Sequence, residues 1–225
     1  MNVHEFIKTI RTGDLSNEAI GKGMHKSFVN AGELLEDAEL LLPHRPARAL
    51  SLAILALEET AKTVLLTNAA AKARNKNITW SELEKDLKLR SHAHKQAVFS
   101  AYGKAILEKL EVEGENLFTE ESLPGGMGPL LDWMKQLGFY VDVADGKFIS
   151  PMEFGSDDAD WARWLIAVVK QRLDSFEKLH STEEKSIKVA KKAGELVEII
   201  ASPNDDNSFQ NKLKKFTKEY EKKLI

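Results

Sequence analysis

The segment from Ala47 to Arg74, "ARALSLAILALEETAKTVLLTNAAAKAR", constrains the fold more than any other part of the chain. Between Leu50 and Leu57 only Ser51 is polar. At about 100° per residue, the apolar side chains then point in nearly every direction. A helix apolar all round must be covered all round. The segment therefore predicts a central helix, opening near Pro46 where proline suits the first turn, with other helices packed about it. One turn further on stand Glu58, Glu59 and Lys62. Unpaired charges in such a place are costly. Together with Ser51 they fall in a sector of roughly 100°. Glu58 and Lys62 are spaced i, i+4 and Glu59 and Lys62 i, i+3, and both spacings bring side chains together. On a solvated face such pairs contribute only about 0.3–0.5 kcal/mol. Periodicity alone thus leaves open whether this polar stripe is surface or an internal site.

The rest of the chain reads as further helices. The first runs from about Ser16, a good N-cap, to the stop at Pro43, with Phe28, Ala31, Leu34, Leu35, Ala38 and Leu41 at helical spacing. A third opens at Thr79 with Glu82 three residues on, a capping box, and is expected to continue to Val112. Gly- and Pro-rich turn signals follow in "EGENLFTEESLPGGMG", then a short helix, "PLLDWMKQL". "GFYVDVADGKFISP" alternates Val141 and Val143 with Asp142 and turns at Asp145-Gly146, the pattern of a β-hairpin. Ser156 caps a long helix to His180, and Ser181 or Thr182 starts another. "SPNDDNS" then breaks the chain before a last charged helix, whose run "NKLKKFTKEYEKKLI" reads as a solvated amphipathic face. Trp161, Trp164 and Leu165 at helical spacing read as core or as a dimer seam. The expected fold is all-α, a bundle of five to six helices with a small β-hairpin insert near 139–149. A lone hairpin needs something to pack on, so residues 1–225 are read as a single helical domain, with C-terminal helices over 156–224 packed on the rest.

Bulk properties narrow the functional classes. With 225 residues, 43% hydrophobic and 30% charged, the chain has the composition of an ordinary globular protein. Net charge is −3, so it lacks the bulk basic field of many nucleic-acid binders, although a local patch remains open. It has no cysteine, which removes disulfides, thiolate metal sites and a thiol nucleophile. The N-terminus lacks the apolar stretch of a signal peptide, and no apolar run reaches roughly 18 residues. The expectation is a soluble, cytoplasmic protein without a membrane partner.

The third helix carries "RSHAHKQ", Arg90 to Gln96. Arg90 and His94 share a side with Leu83, Leu87, Val98 and Ala101. His92 and Lys95 point the other way, beside Phe99 and Ile106. Periodicity does not decide which histidine matters, and it sets His94 nearer the main core.

These features come together in a recognisable order. Asn30-Ala31 and Asp37-Ala38 lie on the first helix, and Ala56-Leu57-Glu58-Glu59-x-x-Lys62 on the second. His92-x-x-Lys95 lies on the third, and Tyr140-Val141-Asp142, Asp145-Gly146 and Ser150-Pro151 follow. The chain thereby resembles the AbiV family of abortive-infection proteins, of the HEPN superfamily of helical domains, over roughly Gly23 to Phe154. The resemblance implies a HEPN-like bundle and one polar site in which Glu58, Glu59 and Lys62 face His92 and Lys95, with His94 as the competing histidine. It implies a cytoplasmic phage-defence protein, a homodimer, that shuts down host translation or RNA metabolism as a metal-independent ribonuclease. No cofactor and no metal are implied. The alternative is a non-catalytic effector or sensor that binds tRNA, mRNA or the ribosome, or a phage protein as its trigger.

Many HEPN ribonucleases pair an Arg with a His on one helix, with four to six residues between them. Here Arg90 and His94 have three residues between them and Arg172 and His180 seven, so neither pair fits. A ribonuclease built on this chain would recruit His92 or His94 as the base, with Lys62 and Lys95 as cations. A third reading, a di-iron bundle, rests on Glu177-x-x-His180 with Glu58 or Glu59 as further ligands. Such sites use two Glu-x-x-His motifs, and this chain has only the one.

Overall fold

The computed structural model describes residues 12–73, 76–88, 91, 92, 95, 127–144, 146–153 and 156–201. Its elements are β1 (Asp14–Leu15), α1 (Asn17–Leu41), α2 (Pro46–Ala73), β2 (Ile78–Thr79), α3 (Trp80–Leu87), α4 (Met127–Leu137), β3 (Asp142–Ala144), β4 (Lys147–Ile149), α5 (Ser156–His180) and α6 (Glu183–Ala201). Among the described residues the chain is thus all-α apart from four short strands. β3 and β4 form the expected antiparallel hairpin, with Val143 opposite Phe148 and Gly146 at φ 72° in its turn. Asp145, the other expected turn residue, lies outside the described residues, as does the expected last helix.

The local signals act as anticipated at most helix ends. Thr79 caps α3 through the Glu82 backbone N–H while the Glu82 carboxylate accepts from the Thr79 N–H, a complete capping box. At α6 the Thr182 hydroxyl accepts from the Lys185 N–H. One expectation fails. The third helix does not run unbroken from Thr79 to Val112. It stops at Leu87, where Lys88 takes a left-handed backbone, φ 47°, and gives its N–H to the Glu84 carbonyl, 2.9 Å away. This is how an αL residue closes a helix and turns the chain. His92 and Lys95 are helical again beyond that break. The two-residue pairing of β1 with β2, Asp14 opposite Thr79 and Leu15 opposite Ile78, was also not anticipated.

The described chain groups into two compact units whose boundaries fall inside α1, α2 and α5. The first takes the described residues within Met1–Lys26, Thr63–Arg90 and Glu177–Ile225. Its buried side chains include Ile20 and Met24 of α1, Leu65, Leu66, Ala69 and Ala70 of α2, Leu83 of α3, and Val189 and Ala190 of α6. Gly21 permits the approach of α1 to α6, since a Cβ there would lie 2.5 Å from the Ile187 Cα. In the same unit the His25 Nδ1 lies 2.8 Å from the His180 carbonyl, and the His180 Nδ1 3.0 Å from the Ser186 Oγ. Burial, with His25 nearby, pushes the His180 imidazole down to about 4, so it is neutral at ordinary pH.

The second unit takes the described residues within Ser27–Lys62 and Ser91–Phe176. Its core is organised on α2, as the apolar segment requires. Ala49, Leu50, Ala53, Ile54, Ala56, Leu57 and Ala61 are all buried. Against them pack Ala31, Leu35 and Ala38 of α1, Leu131 of α4, and Ala162, Leu165, Ile166, Val169 and Leu173 of α5. Phe28, Leu34 and Leu41 border this core, so the helical stripe read on the first helix is the buried one. Trp161 joins the border and meets the partly exposed Trp164 edge to face, ring centroids 5.9 Å apart. Asn30 and Asp37 are exposed, whereas their alanine neighbours are buried.

Candidate functional site

Glu58 is the anomaly in this core. It lies in the same α2 surface as Ile54 and Leu57 and is only 1% exposed. A lone carboxylate there would be neutral or would unfold the helix. It is instead surrounded by donors from two other segments. Its Oε2 takes the His92 Nδ1 at 2.5 Å and the Lys95 ammonium at 3.1 Å. Its Oε1 takes the Lys135 ammonium, from α4, also at 3.1 Å. Lys135 reaches further to Asp132, one turn earlier on α4, at 2.8 Å. Lys95 and Lys135 are buried with Glu58, whereas the His92 side chain is 50% exposed.

α4 meets α2 at a notch. The Ser51 hydroxyl, completely buried, lies 2.8 Å from the Lys135 carbonyl and 3.1 Å from that of Ala47. Gly138, at the end of α4, sits so close that a Cβ would fall 1.8 Å from the Ser51 Oγ and 2.3 Å from the Ala47 carbonyl oxygen. Ser51 and Glu58 are seven residues apart, two turns, and so share one side of α2. Ser51 and Glu58 of the polar stripe read on the sequence are therefore where α4 docks.

The expected site residues separate into groups. Glu58, His92 and Lys95 converge. Glu59 and Lys62 pair with each other on α2, 2.5 Å apart and part-buried. His94 lies outside the described residues. Beyond the break at Lys88, His92 and Lys95 both reach Glu58, although the wheel had set them away from the main core. Lys95 does not stand ready as a cation for a phosphate, because its ammonium is buried on Glu58. Lys135 and Asp132 were missed altogether. The di-iron reading gains nothing: Glu58 accepts from three nitrogen donors, and among the described residues no group of three His, Cys, Asp or Glu side chains is arranged to hold a metal.

A family model for AbiV, of the HEPN type, matches residues 19–174, a span that includes every member of this cluster. The chain belongs to the AbiV family. It is thus a HEPN-type protein of an abortive-infection family. No curated protein and no solved structure matches it. Among the described residues, no helix of this AbiV-family protein is long and apolar enough to cross a membrane.

The electrostatics of the cluster follow from its geometry. Burial pushes the Glu58 carboxyl up, but the His92 hydrogen bond and the ammonium groups of Lys95 and Lys135 outweigh it and hold the group below the usual carboxylate range. Asp132 is lowered too, chiefly by its hydrogen bond from Lys135. A carboxylate that binds its proton less tightly when folded adds stability that is fully present above its unfolded value, 4.5 for Glu58, and lost as pH falls through the lower folded value. Urea unfolding of the AbiV-family chain should therefore show a stability plateau at neutral pH that declines below about pH 4.5. Glu58→Gln should flatten that decline. An unchanged acid limb in the variant would mean that the carboxylate is not charge-paired.

Proposed function

We propose that this AbiV-family protein acts in the cytoplasm as an abortive-infection effector that halts host translation or RNA metabolism by cutting RNA without a metal. The observation that carries this reading is the placement of His92. One ring nitrogen is anchored to a buried, ionised carboxylate, and the other, Nε2, has no partner among the described residues on a half-exposed side chain. A carboxylate can only accept. Neutral His92 therefore presents Nδ1–H to Glu58 and leaves a lone pair on Nε2. That is the form a general base needs, and the orienting role of the carboxylate is that of the third member of a triad. Nε2 would take the proton of a ribose 2′-hydroxyl, whose oxygen attacks the adjacent phosphorus and expels the 5′-oxygen of the next nucleotide, leaving a 2′,3′-cyclic phosphate. The departing 5′-oxygen takes a proton from water, and His92 returns its own to solvent. Lys62, partly exposed one turn beyond Glu58 and paired with Glu59, is the cation this reading assigns to the phosphate, for which it would have to leave Glu59. Glu58, Lys95 and Lys135 act through His92 and do not touch substrate.

The test is purified protein incubated with total RNA or tRNA, wild type beside His92→Ala, with and without lysate of infected cells. Cleavage by the wild type with cyclic-phosphate ends supports the reading, and no cleavage under any of these conditions sinks it. The second reading, a non-catalytic effector that binds RNA, a ribosomal component or a phage protein, is favoured by one observation. Glu58, Lys95 and Lys135, three of the four side chains at the centre of the cluster, are buried as a structural tie would be. It requires that His92→Ala lose biological activity only in step with stability.

The protein is further proposed to act as a homodimer. Trp133, Phe139, Tyr140, Val141, Phe148 and Met152 expose apolar surface within one 20-residue stretch, more than a monomer needs to show. Sedimentation at micromolar concentration should give twice the chain mass of 25.2 kDa, and a strict monomer would contradict the assignment.

A further inference from the structure

We infer that Lys135 is a positioning residue for His92, brought to Glu58 by the Ser51–Gly138 notch, and that it decides which nitrogen of the His92 ring carries the proton. This rests on the reading of His92 as a base, but the positioning itself can be observed without substrate.

The carboxylate of Glu58 has two oxygens with different clients. Oε2 serves His92 and Lys95, and Oε1 serves Lys135. Lys135 therefore fixes the rotation of the carboxylate about its last bond, because its pull on Oε1 directs Oε2 at the imidazole. It is also one of two ammonium groups that keep the buried group ionised. Lys135 does not reach this place by its own reach alone. Its backbone carbonyl is pinned by Ser51, and three residues on, Gly138 closes against the Ala47 and Ser51 atoms with no space for a Cβ. The notch sets the depth of α4, and Asp132 holds the ammonium from the far side.

Without Lys135 the balance at Glu58 turns. Burial favours the neutral carboxyl. On taking one proton from solvent, Glu58 becomes a donor, and the only acceptor it faces on the ring is Nδ1. Neutral His92 must then carry its hydrogen on Nε2. The lone pair that would accept a substrate proton is gone, although the ring has not moved and no substrate contact has been removed. A purely structural lysine would not have this effect.

The test is nuclear magnetic resonance on the whole chain. Two-bond proton–nitrogen spectra read the tautomer of His92, and carboxyl carbon shifts read the ionisation of Glu58, in the wild type, Lys135→Met, Lys135→Gln and Lys135→Arg. The wild type should show an unprotonated Nε2 and an ionised Glu58. Lys135→Met should raise the Glu58 titration midpoint and move the His92 hydrogen toward Nε2, and Lys135→Arg should restore both. Lys135→Gln, which keeps a hydrogen-bond donor without the charge, serves if the methionine variant does not fold and should behave as that variant. Gly138→Ala should shift both signals in the same direction by lifting α4. Lys135→Met or Lys135→Gln with an unchanged tautomer and an unchanged Glu58 titration overturns the inference. RNA cleavage in parallel separates the two levels. An active wild type should lose about 10–100-fold with the charge removed and recover with arginine, as when an orienting partner is lost. An inactive wild type whose tautomer still depends on Lys135 refutes the ribonuclease and leaves the positioning intact.

Discussion

Replacing Glu58 by glutamine is expected to destabilise the fold by about 3–5 kcal/mol, because it takes the counter-charge from the buried Lys95 ammonium and leaves that of Lys135 with Asp132 alone. Among the described residues the glutamate accepts from three donors in a position with 1% exposure, and the amide can offer only one acceptor oxygen in its place. Lys95 and Lys135 would each have to leave the core, lose a proton, or draw water inward. At roughly 2–4 °C per kcal/mol for a chain of this size, the melting temperature should fall by about 10 °C. Thermal and urea melts followed by circular dichroism measure this. A loss within about 0.5 kcal/mol, as at an ordinary surface site, would show that the carboxylate is not buried among cations.

Replacing His92 by alanine should cost much less stability and far more activity. The side chain is half exposed and its removal costs one hydrogen bond to a carboxylate that keeps both lysines, about 1–2 kcal/mol. Removal of a general base, in contrast, should lower RNA cleavage by about 100- to 10,000-fold. The two numbers decide between base and brace. A large rate loss with a small change in melting temperature identifies a base, and a variant that loses function only in proportion to its stability identifies a brace. His92→Gln makes the comparison stricter, since it can keep the contact to Glu58 but cannot take a proton at pH 7.

How far the chain could be read in advance depended on the range of the forces involved. α2 was legible because its apolar residues surround the helix, and no solvated helix tolerates that. The capping box at Thr79 and the hairpin at 142–149 were legible because both are written within a few residues. The helix break at Lys88 was not, since a lysine in the left-handed region carries no compositional mark of the kind a glycine would. Nor was β1 with β2, two residues a side, too short to show a period. Lys135 was missed for a different reason. In "PLLDWMKQL" it looks like any surface lysine paired i, i+3 with an aspartate, and only the depth of α4 on α2 buries it. A weak signal did exist: Ser51 is the single polar residue in the most apolar stretch, and Gly138 follows directly on α4. A hydroxyl and a glycine are what two closely packed helices require. The convergence of Glu58 with His92 and Lys95 came from the family resemblance, while the helical wheel favoured His94. The wheel assumes one continuous helix from Thr79, and the turn at Lys88 resets its phase.

The most direct check on the whole account is a double-mutant cycle on stability between Glu58→Gln and Lys135→Met, two changes 77 residues apart in sequence. If the carboxylate and the ammonium share one buried site, the second change relieves the first by removing a buried ammonium that only Asp132 would still offset. The double variant should then be more stable than Glu58→Gln alone, with a coupling of at least about 1 kcal/mol. Additivity within about 0.3–0.5 kcal/mol, the behaviour of independent sites, would mean that α4 does not meet α2 at Glu58. The assembled site would then not exist.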